Sequence, residues 1–185
     1  MAITYSKMLE LGVKLPDFEL INTINNQKFN SNSLSSNRAK VIMFICNHCP
    51  FVVHYHKKIK EISVQYQSIQ KVEFIAISSN DANSYPEDSP KKMAELAKKL
   101  DWNFPYLYDK TQEIAKKYQA ECTPEFYLFN NDNYLIYRGR MDDSSPYNNK
   151  QITGSDLKNA IDNFLDNKKI SQKQFPSMGC NIKWK

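Results

Sequence analysis

Apolar and polar positions follow two rhythms along this chain, and the order of those rhythms predicts a mixed α/β fold. Residues 15–21 have an extended, partly alternating pattern, closed by an Asn-rich turn at 22–26, and residues 27–29 read as a short strand returning in a hairpin. Val41-Ile42-Met43-Phe44-Ile45 is a continuous apolar run, as expected of a central strand covered on both faces. From Pro50 onward, Val52, Tyr55, Ile59, Ile62, Tyr66 and Ile69 recur at alternating spacings of three and four, with Lys57, Lys58, Lys60 and Glu61 between them. That period belongs to an amphipathic helix, and Pro50 suits its first turn. Residues 72–78 form a second buried strand and 80–88 a polar loop. Ser89-Pro90 then has the form of an N-cap and first turn, for a helix carrying Met93, Leu96, Ala97 and Leu100.

Further on, 104–108 is a short extended piece and 111–118 a helix. Strands at 126–129 and 134–137 flank Asn130-Asn131-Asp132-Asn133, a strong hairpin turn. Residues 153–165 form a last helix, with Thr153 and Asp156 in capping-box spacing, and 168–185 show no periodicity. No repeat or linker interrupts the series, so residues 1–185 read as one domain. A parallel βαβ start followed by an antiparallel hairpin and a helix gives a mixed central sheet flanked by helices. It carries an N-terminal β-hairpin extension and a C-terminal tail.

Composition narrows the function more than the fold. The chain has 185 residues, 41% hydrophobic and 24% charged, which is ordinary for a globular domain with a real core. Its net charge of +5 comes from scattered Lys and Arg without the interleaved aromatics of a nucleic-acid groove, so no nucleic-acid partner is expected. No apolar run spans a bilayer, and the N-terminus lacks the basic and apolar regions of a signal peptide. The expected compartment is therefore the cytoplasm, with no membrane partner. There, four cysteines are more in keeping with chemistry or burial than with a disulfide framework.

Two of them carry the functional signal. Cys46-Asn47-His48-Cys49-Pro50 lies where the apolar strand gives way to the long helix. Two cysteines with two residues between them at such a junction are the sequence form of a redox-active dithiol. Unsatisfied N–H groups at a helix N-terminus stabilise a thiolate, and the thiolate is the reactive species in disulfide exchange. Cys46, exposed at the helix start, is the expected nucleophile and Cys49 the resolving thiol. A cationic His48 between them would favour the thiolate and make the pair more oxidising, by roughly 30 mV for each 1.4 kcal/mol. Neither a Gly-rich dinucleotide loop nor a phosphate-binding loop is present, so no cofactor is expected.

With these elements placed, the chain resembles the thioredoxin superfamily, and within it the peroxiredoxin-like (AhpC/TSA, redoxin) branch. The resemblance rests on Pro16-Asp17-Phe18-Glu19-Leu20, on Cys46 to Val52, and on Cys122-Thr123-Pro124 followed by Phe126 to Phe129. Segments from Arg138 to Ser144 and from Pro176 to Trp184 are similar to the same subgroup. It implies a thioredoxin-like fold in which Pro124 is cis and packed against the cysteine pair. It also implies that the Thr123 backbone is held open to pair with a substrate strand. The implied activity is that of an antioxidant-type thiol–disulfide oxidoreductase with a redox-active disulfide. Its partners would be a protein or small-molecule thiol or disulfide and a cellular thiol reductant.

Departures from the family keep two other readings in view. Peroxide-reducing members carry Pro-x-x-x-Thr-x-x-Cys. With Cys49 at the reactive position, Ile42 replaces the proline and Cys46 the threonine. A thiol-dependent peroxidase using Cys49 is the enzyme alternative, with Arg138 or Arg140 left to stabilise the thiolate, and its alignment makes Cys49 the attacking group. Ile45 also replaces the tryptophan usual before a thioredoxin pair. The non-enzyme alternative is a copper- or zinc-binding or scaffolding module, since thiolates suit Cu(I) and Zn. His54 and His56, two apart on a helix, diverge, so no metal ligand set is assigned. Cys122, next to Thr123, and Cys180, in the tail, are auxiliary thiols that would have to approach the pair to take part.

Overall fold

The apolar run becomes strand β4 (Ala39–Phe44), buried along its whole length in the computed structural model, which describes residues 3–185. Successive β4 side chains point to opposite faces, so the run builds two cores at once. Val41 and Met43 join α1 (Pro50–Ser68), α2 (Pro90–Lys99) and α4 (Ser155–Leu165) on one face. Ile42 and Phe44 meet α3 (Glu113–Lys117) and the N-terminal residues Leu9, Leu15 and Phe18 on the other. Each such side chain contributes about 1.5–3 kcal/mol by leaving water.

The remaining strands are β1 (Ile3–Tyr5), β2 (Glu19–Asn22), β3 (Gln27–Asn30), β5 (Val72–Ser78), β6 (Tyr106–Tyr108), β7 (Cys122–Thr123), β8 (Glu125–Phe129), β9 (Leu135–Gly139) and β10 (Met178–Asn181). Seven of the strands form a sheet in the order β3-β2-β6-β5-β4-β8-β9. The pairs β4/β5 and β5/β6 are parallel, and the others antiparallel, which makes the sheet mixed. The hairpin β2–β3 extends one edge through β6, as the pattern predicts.

Two expectations fail. Residues 178–181, within the segment that shows no periodicity, form β10 at the centre of a second sheet, β1-β10-β7. A four-residue strand held by backbone pairing on both sides needs no side-chain alternation to specify it. The capping box at α4 is also absent. Gly154 is the N-cap, with φ +70, and the N–H groups of Thr153 and Gly154 donate instead to Asp142 Oδ2 at 2.7 and 2.6 Å. Asp156 turns to Arg140, 2.6 Å away. No helix among the described residues is long and apolar enough to cross a membrane.

Candidate active site

The junction of β4 and α1 places Cys46 and Cys49 against β7 and the Thr123-Pro124 bond, which is cis. Cys49 is the N-cap of α1, and its carbonyl accepts from the N–H groups of Val52 and Val53, each at 2.9 Å. Both sulfurs are buried, Cys46 at 1% exposure and Cys49 at 0%. The expectation that Cys46 stands exposed at the helix start is therefore incorrect: the strand end and the loop at 80–88 close over it. Cys46 Sγ lies 3.3 Å from Thr123 Oγ1, and Cys49 Sγ 3.2 Å from the Thr123 carbonyl oxygen. The nearest sulfur contact is Cys49 Sγ to Cys180 Sγ, at 2.8 Å.

These surroundings split the two thiols in opposite directions. Cys49 is held well below the ordinary thiol range by hydrogen bonding from the Cys180 and Cys46 thiols, against the cost of burial, with the N–H groups of Val52 and Cys180 adding to the effect. Cys46 is pushed up, first by its hydrogen bond to Cys49, then by burial and the nearby Asp88 carboxylate. Cys180 moves up for the same reason as Cys46. A helix N-terminus reinforces the preference for charge on Cys49. Hydrogen bonding within the trio thus favours charge on Cys49, against burial and against the Thr123 carbonyl oxygen, to which only a protonated Cys49 can donate.

His48 does not act on the sulfurs as an isolated cation. Its Nδ1 lies 2.7 Å from Asp88 Oδ2, and that contact raises the imidazole pKa against the effect of burial. Its ring stacks on Tyr85 at 5.6 Å. The buried Asp88, a residue the sequence offered only as the end of a polar loop, organises the whole cysteine loop. It accepts from Asn47 N and from Asn80 Nδ2, both at 2.7 Å. Asp88→Asn keeps one acceptor oxygen but removes the charge. It is expected to cost about 1–2 kcal/mol in urea denaturation and to lower the Cys46 pKa, read by thiolate absorbance.

Of the other residues singled out from the sequence, Thr123 lies at the cysteines, whereas the two arginines and the helix histidines are engaged elsewhere. The Thr123 backbone is not open, because β7 pairs with β10, Cys180 opposite Thr123 and Asn181 opposite Cys122. Cys122 Sγ lies 3.8 Å from both Glu125 Oε2 and Ser177 O, and burial followed by the Glu125 charge raises its thiol pKa. Arg138 donates to Leu9 O and Gln174 Oε1, and Arg140 pairs with Asp156, so neither guanidinium takes the place that the peroxidase alternative would give one of them beside the thiolate. His54 meets Ser144 Oγ at 3.0 Å, whereas His56 packs on Trp102 and is driven down to about 4 by burial.

Among the described residues, the group that brings metal-binding atoms together is Cys46, His48 and Asp88, within 4.8 Å of one another, and not the histidines of α1. Beside Pro124 opens a cleft of about 250 Å³ whose walls include Tyr55, Arg140, Asp142, Ser177 and Met178.

Residues 11–138 match the AhpC/TSA family. An uncharacterized conserved protein from Geobacillus kaustophilus is 46% identical, with a TM-score of 0.97, covering 100% of this chain and 97% of that one. A hypothetical protein from Sinorhizobium meliloti 1021 is 37% identical, with a TM-score of 0.95 and 98% of each chain covered. A secreted disulfide oxidoreductase of Mycobacterium tuberculosis shares the fold at 16% identity, with a TM-score of 0.61 over 78% of this chain and 94% of that one. No curated protein matches the sequence.

Proposed function

The chain belongs to the AhpC/TSA family and has a thioredoxin-like fold, and on that premise we propose that it is a thiol–disulfide oxidoreductase working through Cys46 and Cys49. The carrying observation is the Cys49 sulfur at the N-terminus of α1, beside the Thr123 carbonyl and flanked by two thiols. The Cys49 thiolate attacks a substrate disulfide and forms a mixed disulfide, and one substrate thiolate departs. The Cys46 thiol then gives up its proton and attacks Cys49 Sγ, closing the Cys46–Cys49 disulfide and releasing the second substrate thiol. A thiol reductant restores the pair.

This order of attack reverses the one expected from the sequence. Cys46 has no advantage in exposure, and its neighbours disfavour its thiolate while favouring that of Cys49. Because both sulfurs are buried, a substrate reaches Cys49 when β10, which is held by β1 on its other side, is displaced from the Thr123 edge of β7. An extended substrate segment would then take the same edge. Engagement of Arg138 and Arg140 elsewhere favours disulfide exchange over peroxide reduction.

The test is a redox titration against glutathione of the Cys122→Ser/Cys180→Ser variant, with alkylation and mass spectrometry. One reversible two-electron transition that pairs Cys46 with Cys49 is expected. Accumulation of a stable glutathione adduct without closure of that pair would overturn the reading.

A further inference from the structure

The strand that covers the cysteines brings a sulfur of its own. We infer that Cys180 is a third redox-active cysteine, and that Cys49 exchanges its disulfide partner between Cys46 and Cys180. This rests on the reading of Cys49 as the attacking thiolate and extends it to the C-terminal strand.

Three independent features support it. The Cys49 and Cys180 sulfurs lie 2.8 Å apart, against about 2.05 Å for a disulfide bond. The contact is also built in by backbone pairing, since Cys180 stands opposite Thr123 in antiparallel register on the edge of β7. A peptide bound to that edge would present a cysteine to Cys49 in the same way, so β10 occupies the place of a substrate strand. Finally, the tail is anchored on both sides of Cys180. Ser177 N donates to Ser6 Oγ at 2.9 Å on one side, and on the other Ile182 N donates to Glu121 O at 2.9 Å and Lys183 N to Asn80 Oδ1 at 2.8 Å.

Gly179 shows how closely the strand must approach. A Cβ there would run into the Thr123 carbonyl oxygen and carbon, which are backbone and cannot swing aside. Absence of a side chain at 179 is thus a condition for seating Cys180 on Cys49.

The exchange step balances without an external oxidant. Starting from the Cys46–Cys49 disulfide, Cys180 loses its proton and its thiolate attacks Cys49 Sγ. The Cys49–Cys180 bond forms as the Cys46–Cys49 bond breaks, and Cys46 leaves with the electron pair and takes up a proton. In the same way, Cys180 can resolve a mixed disulfide on Cys49, releasing the substrate thiol. The oxidising equivalent passes from the pair to the tail strand, and Cys46 is returned to the thiol form.

Glutathione disulfide is the probe, read by non-reducing peptide mapping of the full-length protein. Wild-type protein is expected to yield both Cys46–Cys49 and Cys49–Cys180 linkages. Cys46→Ser should close Cys49–Cys180 and keep little glutathione, whereas Cys46→Ser/Cys180→Ser should keep glutathione on Cys49. Gly179→Ala should cut the Cys49–Cys180 linkage by about tenfold or more, because misplacement of a reacting group by an ångström is costly, and should leave Cys46–Cys49 formation intact. If Cys46→Ser retains as much glutathione as the double variant, the inference is wrong. Cys180→Ser separates the two ideas: if that variant still closes Cys46–Cys49 while Cys46→Ser retains as much glutathione as the double variant, this inference falls and the earlier reading stands, whereas failure to close Cys46–Cys49 in Cys180→Ser removes the earlier reading and the exchange with it.

Discussion

Cys49→Ser is expected to abolish reduction of a small disulfide such as glutathione disulfide, with a fall of at least about a thousandfold, because it removes the nucleophile itself. Cys46→Ser should behave differently, keeping the first attack and losing a route of resolution. The asymmetry follows from the site. Cys49 has the helix N-terminus, the Val52 N–H and two thiol neighbours on its side, whereas Cys46 faces Asp88 and the Cys49 charge. A pH profile checks the same point. With its pKa held low, Cys49 is already ionised at neutral pH, and the rate of its first alkylation should be flat from about pH 6 to 9. An ordinary thiol would instead gain rate through its pKa near about 8.5. A rate that climbs through that range, or a Cys49→Ser variant that keeps the first attack while Cys46→Ser loses it, would reverse the assignment of roles.

Much of this site was legible in the sequence because local pattern and chemistry coincide there. An apolar run, two cysteines, a proline and a helical period occupy one continuous stretch, and each constrains the next. The Thr123-Pro124 element was legible by resemblance. What escaped is what depends on distant parts of the chain meeting. Cys180 reaches Cys49 across more than a hundred residues through a strand that is short and lacks alternation. Asp88 looked like loop polarity, yet it is fully buried and carries the cysteine loop and His48. Arg138 and Arg140 entered through the family resemblance as candidate thiolate partners, but their acceptors, Leu9 O and Asp156, are set by tertiary packing. Local signals thus brought Cys46 and Cys49 to the strand–helix junction, whereas the contacts around them are long-range ones that no period encodes.

Glu125 supplies the second large effect, and it bears on stability. This carboxyl follows Pro124 and lies beside Phe44 in the sheet, fully buried. Burial pushes it up to about 7 from 4.5, against hydrogen bonds from Tyr127 and from the N–H groups of Glu121 and Cys122 that favour its charge. The folded state therefore binds more protons than the unfolded chain between pH 4.5 and about 7. Stability must fall as pH rises through that window and level off above it, with the full interval worth about 3 kcal/mol.

The protonated form also completes a hydrogen-bond chain. With the carboxyl charged, the Tyr127 hydroxyl donates to Glu125 Oε1 at 2.7 Å; once protonated, Oε1 can donate across the same contact and leave that hydroxyl's one proton to Tyr118 O at 3.1 Å, while Oε2 accepts from Glu121 N at 3.1 Å. Glutamine reproduces that arrangement at every pH, its amide nitrogen facing Tyr127 and its oxygen facing the N–H groups. Glu125→Gln is expected to raise stability at pH 8 by about 2 kcal/mol and to flatten the pH dependence below 7. Urea denaturation of both proteins from pH 5 to 8 checks this: converging curves at pH 5 and separated ones at pH 8 are required, and parallel curves would show that Glu125 stays charged in its buried site.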